Sequence, residues 1–318
     1  MSTSGVTSLS ATRNTVIRGA FRLLGFKKNG GVRPAQEVLD AEQALNTMLK
    51  SWQSEDPGLW LNREATLYTD YKSSEYYSLG SGGDHATLTP QETAIETAAS
   101  SGDLTITVDS DDNILDEDII GIELDDGTLQ WTTVNGDPAS DVVTITAALT
   151  DDVAVDNVVY NYTTILARPM EIIEARCNQS DGNDLIINVI SRQEYMDLSD
   201  KSSTGTPNQI YYDPQLTNSR VYVWQVSDNV RNQIKMTVKY PIELFSAHGN
   251  PPELPDEWMA ALTYNLAKYL IPEYPNQLTI EGYRLITSMA KEYKENVTMF
   301  DSSNTSFYIQ PSSSSYND

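Results

Sequence analysis

Apolar positions recur at helical spacing near both ends of this chain and alternate with polar ones in the middle. In TRNTVIRGAFRLLGF, Val16, Ala20, Leu23 and Leu24 fall on one side of a helix, and Gly25 suits the residue that ends it. After KKNGG, Pro34 suits a first helical position. Val38, Ala41, Leu45, Met48, Leu49 and Trp52 then form one apolar stripe, which Asp56-Pro57-Gly58 stops. These two segments predict an antiparallel helical hairpin. The far end mirrors it. PDEWMAALTYNLAKYLI sets Trp258, Leu262, Leu266 and Tyr269 on one face and ends at Pro272, and NQLTIEGYRLITSMAKEYKENVTMF follows as a second amphipathic helix. Each helix carries one apolar stripe, so neither hairpin buries much alone. The economical packing is one discontinuous helical domain, residues 1–60 and 251–300, with 61–250 inserted.

The insertion reads as antiparallel β. ATLYTDYKSSEYYSLG alternates and turns at Lys72-Ser73-Ser74, which predicts a hairpin. IIGIELDDGTLQWTTV predicts another, with Asp126-Gly127 as a type I′ turn. LTITVDS…LDEDIIGIEL is echoed by VVTITAALTDDVAVDNVVYNY about 39 residues later, and two strand–turn–strand copies imply a small β barrel or sandwich over roughly 90–165. Beyond Arg168 the strands continue as MEIIEARC, DLIINVI, NQIYYD, RVYVWQV and QIKMTVKY, the last three as a meander. Residues 301–318, DSSNTSFYIQPSSSSYND, predict an extended tail with Phe307, Tyr308 and Ile309 as an apolar plug. The fold class expected is α+β.

Composition sharpens this picture. The 318 residues suit about two domains, and 39% hydrophobic residues can fill real cores. The formal charge of −24 disfavours a broad phosphate-binding surface. It is uneven: between Lys72 and Arg168 there are 19 acids and no Lys or Arg, whereas the first 36 residues hold six bases and no acid. Cys177 is the only cysteine, which fits a reducing compartment and a buried small side chain beside Arg176. No signal peptide and no run long enough to span a membrane is expected.

Motifs that could carry chemistry are weak. STGTPNQIYYDPQ, residues 203–215, has one glycine and no following lysine, so it lacks both phosphate-binding loop patterns. Ser203 and Thr204 lack a suitable base, since the only histidines are His85 and His248. The segment reads as a loop entering a strand, with Ile210 and Tyr212 on one face and Tyr211 on the other. DSDDNILDEDIIG has Ile114 and Ile120 where a calcium loop needs Gly and Glu. The acids Asp116, Glu117, Asp118, Asp125 and Asp126 read as a solvated or channel-facing surface. Arg18, Arg22 and Lys28 read as a wet helix face or as a contact for an acidic neighbour or a DNA end. No catalytic, cofactor or metal site is expected.

VIRGAFRLLGF…RPAQEVLDAEQALNTMLKSWQSEDPGLWLN is similar to the opening of head-to-tail adaptor proteins of short-tailed bacteriophages, also called head-completion, packaged-DNA-stabilisation or tail-tubular adaptor proteins. PPELPDEWMAALTYNLAKYLIPEY…YRLITSMAKEYKE resembles their closing helical pair, and ISRQEYMDLSDKSSTGTPNQIYYDPQ…VYVWQVSDNVRNQIKMTVKYPIELF resembles the β region of longer members. The resemblance implies a virion neck protein assembled in the host bacterial cytoplasm. It implies a homo-oligomeric ring of about twelve copies under the portal protein, closed by rotation. The ring would seal or extend the exit channel, pass DNA without specific binding, and present a platform to a downstream tail or nozzle protein and tail fibres. The tail would reach the portal through Phe307, Tyr308, Ile309 and Tyr316. The competing readings are a tail-associated cell-wall or capsule hydrolase and a carbohydrate-binding β module. The latter needs exposed aromatic platforms, for which Trp131 and Trp224 are candidates.

Overall fold

The computed structural model describes residues 12–26, 34–55, 61–71, 76–179, 182–242, 244 and 255–300. The chain is α+β and divides into two compact units, Met1–Trp60 with Ile242–Asp318, and Leu61–Pro241.

Helices α1 (Arg13–Leu23) and α2 (Ala35–Gln53) precede the β strands, and a short α3 (Arg192–Asp197) lies among them. Helices α4 (Trp258–Leu270) and α5 (Ile280–Phe300) follow them. Helix α4 is central to its unit and packs against α1, α2 and α5. One hydrophobic core therefore takes Val16, Phe21 and Leu24 from one end of the sequence, Leu45 and Trp52 from α2, and Leu262, Leu266 and Ile286 from the other end. Gly19 faces α4 so closely that a Cβ there would lie 2.7 Å from the Thr263 methyl group. The buried Asn265 amide donates to the carbonyls of Ala261 and Ala290 at 2.9 and 2.8 Å and ties α4 to α5. Tyr269, placed on the inner face by spacing, is 46% exposed, because Ala267 and Leu270 take the inward positions of that turn.

Helix α1 ends in a Schellman motif. Phe26 N donates to Phe21 O, Gly25 N donates to Arg22 O, and Gly25 has φ +85°. The Phe21 and Phe26 rings meet edge to face at 5.7 Å, and Tyr274 packs against both. Arg13 is buried and paired with Glu42 of α2.

Among the described residues the second unit holds sixteen strands: β1 (Asn62–Tyr68), β2 (Tyr76–Leu79), β3 (Ala86–Thr87), β4 (Gln91–Thr97), β5 (Thr105–Val108), β6 (Ile119–Glu123), β7 (Leu129–Thr133), β8 (Val142–Thr144), β9 (Val158–Tyr162), β10 (Glu171–Asn178), β11 (Asp184–Val189), β12 (Thr204–Gly205), β13 (Gln209–Asp213), β14 (Ser219–Trp224), β15 (Val226–Ser227) and β16 (Gln233–Lys239). The eight-stranded sheet runs β2-β14-β13-β11-β10-β16-β1-β3. Three sequence expectations change here. The expected hairpin at Lys72-Ser73-Ser74 does not form: β1 pairs with β16 and β3, whereas β2 pairs with β14. The last three strands are not a meander, since β13 and β14 pair but β16 lies between β10 and β1. The pairings β11–β13 and β12–β15 are parallel, so the insertion is not wholly antiparallel. Alternation marks strands and faces but carries no information about partners.

Strands β4 to β9 form a six-stranded sheet in the order β7-β6-β9-β4-β5-β8. Its edges meet through the Val134–Ile145 bridge and through Asn135 N to Thr144 O and Thr146 N to Thr133 O, which closes a barrel. Residues about 39 apart occupy matching places in it. Ile95 and Val134, Ile106 and Ile145, Ile114 and Val153, and Ile120 and Val159 are all buried in its interior. Glu117 N and Val134 N bond to Val134 O and Asp118 O, and Asp156 N and Ile95 N bond to Ile95 O and Asn157 O. Glu117 and Asp156 share a left-handed φ of 67° and 68°. The sequence echo is thus a repeated three-strand unit, β4–β5–β6 and β7–β8–β9, whose copies complete each other's hydrogen bonding. The β6–β7 turn differs from expectation. Gly127 alone has positive φ, with Gly127 N to Leu124 O and Leu124 N to Thr128 O, a three-residue loop rather than type I′.

Candidate partner surfaces

Arg18 and Arg22 are exposed, four residues apart on the outer face of α1. That face follows from the inner one: Val16, Ile17, Ala20 and Phe21 are buried, and the arginines fall between them. Lys28 and the tail residues Phe307, Tyr308, Ile309 and Tyr316 lie outside the described residues.

The acidic residues of the barrel divide into two groups. Asp116, Glu117, Asp125 and Asp126 are exposed. Asp118 is not a surface or channel acid: it is 1% exposed, and its Oδ2 accepts from Leu115 N at 2.9 Å and from Asn161 Nδ2 at 3.5 Å. The exposed ones also organise loops. Asp116 accepts from Gly136 N at 2.7 Å, and Asp125 from Ala154 N and Asn157 Nδ2 at 2.8 and 3.0 Å. Asp126 accepts from both the hydroxyl and the backbone of Thr128, which lowers its pKa. Much of the acidity therefore supplies acceptors for turn amides, and the carboxylates remain at the surface as negative charge. Among the described residues, no group of three or more His, Cys, Asp or Glu side chains is arranged to hold a metal ion.

Trp131 and Trp224, the candidate aromatic platforms, both have partners within the fold. Trp131 lies over Gly121, where a Cβ would come within 2.6 Å of its ring, and stacks on His85 with ring centroids 3.8 Å apart. His85 Nδ1 is 2.8 Å from the Tyr162 hydroxyl, and burial lowers the histidine pKa to about 4. Tyr68 of β1 packs against Tyr160 and Tyr162 of β9, so this cluster joins the barrel to the eight-stranded sheet. Trp224 donates Nε1–H to Asp200 O at 2.8 Å. Tyr195, Tyr211 and Tyr222 stack side by side on the eight-stranded sheet, with the more exposed Tyr76 at the end of the row under Arg220. In the 203–215 segment, Ile210 is buried, Tyr212 donates to Pro169 O, and Gly205 lies where a Cβ would come 2.5 Å from Gln225 Oε1. Cys177 is buried, which pushes its thiol pKa up to about 11.

Sequence reasoning missed one feature. The helical unit carries a groove of about 910 Å³ between α2, α4 and α5. Its floor holds Trp52 and Trp258, with ring centroids 5.9 Å apart. Lys268, Lys291 and Lys294 line it, Lys294 over the Trp52 ring and paired with Glu55. The run AKEYKE read as an amphipathic stripe, and only the packing of three helices shows that its lysines border an apolar trough.

Among the described residues, no helix is long and apolar enough to cross a membrane. No protein-family model matches the chain, and no curated protein matches it in sequence.

Proposed function

We propose that this protein is a structural head-to-tail adaptor of a short-tailed bacteriophage. In this reading it is a non-catalytic ring subunit of the virion neck, assembled in the host bacterial cytoplasm and docked under the portal protein. The ring extends or seals the DNA exit channel after packaging, and a downstream tail or nozzle protein and tail fibres attach to it. Its architecture in this reading is a helical docking domain with a β insertion and an extended C-terminal tail.

One observation carries the proposal: the two helical pairs whose phrases resemble the adaptors, about 200 residues apart, share a single hydrophobic core. A chain whose ends jointly build one domain presents its insertion as a discrete module. That arrangement suits a ring subunit that grips one neighbour by its base and offers another surface to the next component. The exposed carboxylates of the barrel suit a channel, since negative walls repel phosphates and leave DNA free to slide.

The test is electron microscopy of the protein mixed with its phage's portal protein, beside each alone. A new ring layer on the portal, present only in the mixture, is the expected result. A protein that ignores the portal and instead cleaves peptidoglycan or capsule, or binds glycans, would overturn the adaptor reading.

A further inference from the structure

The groove between α2, α4 and α5 is apolar at its floor and positively charged at its rim. Trp52 and Trp258 form the floor, and Lys291 and Lys294 are paired with Glu295 and Glu55. Among the described residues Lys268 has no ion-pair partner. An apolar trough with unmatched positive charge suits an acidic segment that carries a short apolar cluster.

This chain contains such a segment next to the groove. Thr298 and Met299, in the last turn of α5, line the trough, and the chain then runs into residues 301–318. That stretch has two acids, Asp301 and Asp318, and no base, and its apolar residues are Phe307, Tyr308, Ile309 and Tyr316. Seven residues beyond Phe300 span at most about 25 Å, while a groove of this size is on the order of 10 Å across. A tether of that length holds Phe307 near the groove at an effective concentration on the order of millimolar.

We propose that this groove is the docking site of the chain's own Phe307-Tyr308-Ile309 segment, which folds back in cis. Two further consequences rest on the adaptor reading. The segment that would contact the portal is held by its own subunit until assembly, and the portal displaces it by offering a better seat.

The docking itself is tested on the isolated protein, so its failure is distinct from failure of the adaptor reading. The full chain is compared with a full-length variant carrying Phe307→Ser, Tyr308→Ser and Ile309→Ser. A fluorescent peptide of residues 301–318 is titrated into both. The variant should bind the peptide at least about tenfold more tightly than the unaltered chain, whose groove is already filled. Adding Lys268→Glu with Lys291→Glu to the variant should weaken peptide binding again. Equal affinity for the two proteins, or no binding to either, overturns the proposal. So does light scattering that shows the unaltered chain, but not the variant, to self-associate, because the groove would then hold a second copy's segment. A measurement that needs no variant is hydrogen exchange on the unaltered chain. Amides of 307–310 should exchange more slowly than those of 312–315, and equal unprotected rates in both stretches overturn the docking.

Discussion

Arg231 closes its guanidinium on the Glu123 carboxylate, with Nε 2.8 Å and Nη2 2.7 Å from Oε2, and so ties the loop before β16 to the end of barrel strand β6. The same carboxylate accepts from Val158 N at 3.0 Å, and Arg231 Nη2 donates to Asp156 O at 3.2 Å. Glu123 is the more buried partner, at 12% exposure against 37% for Arg231. Arg231→Ala would leave a sheltered carboxylate without its cation and should cost about 1–3 kcal/mol, toward the lower end because the guanidinium is partly exposed. Urea unfolding of Arg231→Ala, Glu123→Ala and the double variant checks this. Coupling near zero would mean the pair does not hold the barrel to the sheet.

His85 gives the protein a pH dependence. Burial holds the folded pKa at about 4, below the ordinary histidine value of 6.5. Both folded and unfolded forms are neutral above 6.5, so the contribution is fully present there. As pH falls from 6.5 toward 4, the unfolded chain takes up the proton first and stability is lost. His85→Gln should flatten that part of the stability profile, as read by thermal melts at a series of pH values.

Leu45 is wholly buried in the shared helical core. Leu45→Ala should cost about 2–5 kcal/mol. A loss within the range of surface substitutions, about 0.5 kcal/mol, would contradict a core assembled from both chain ends.

Asp118→Ala should destabilise the barrel by about 1–3 kcal/mol, because Leu115 N and the Asn161 amide lose a buried acceptor. Substitution of the exposed Glu117 by Gln removes charge alone and should change stability little. Calorimetry of the two variants distinguishes an internal acceptor from a surface charge.

Under the adaptor reading, Arg18→Glu with Arg22→Glu should leave the thermal midpoint nearly unchanged, since both side chains are exposed, and should weaken portal docking. Removal of residues 301–318 should abolish docking while the fold persists. Normal docking by the shortened chain would refute the tail's role there.

Periodicity alone located the four long helices and most strands, because a buried stripe on a helix and a buried face on a strand each leave a local signature in the order of residues. The short α3, capped by Ser191 and Glu194, is too brief to show such a stripe and was not located. It also located the turn at Gly127 and the echo within the acidic segment. The echo identified a repeated unit because matching interior residues such as Ile106 and Ile145 recur in order along the chain. Pairing was decided only by tertiary structure. Nothing in the local pattern of Tyr68 or Tyr77 says that β1 joins β16 while β2 joins β14, since any strand with the right alternation satisfies the same backbone groups. The two fates of neighbouring acids were equally illegible: Glu117 faces out while Asp118 turns inward to amides supplied by Leu115 and Asn161. The groove required α2, α4 and α5 to meet, because its walls come from segments far apart in sequence and its shape exists only in the space between them.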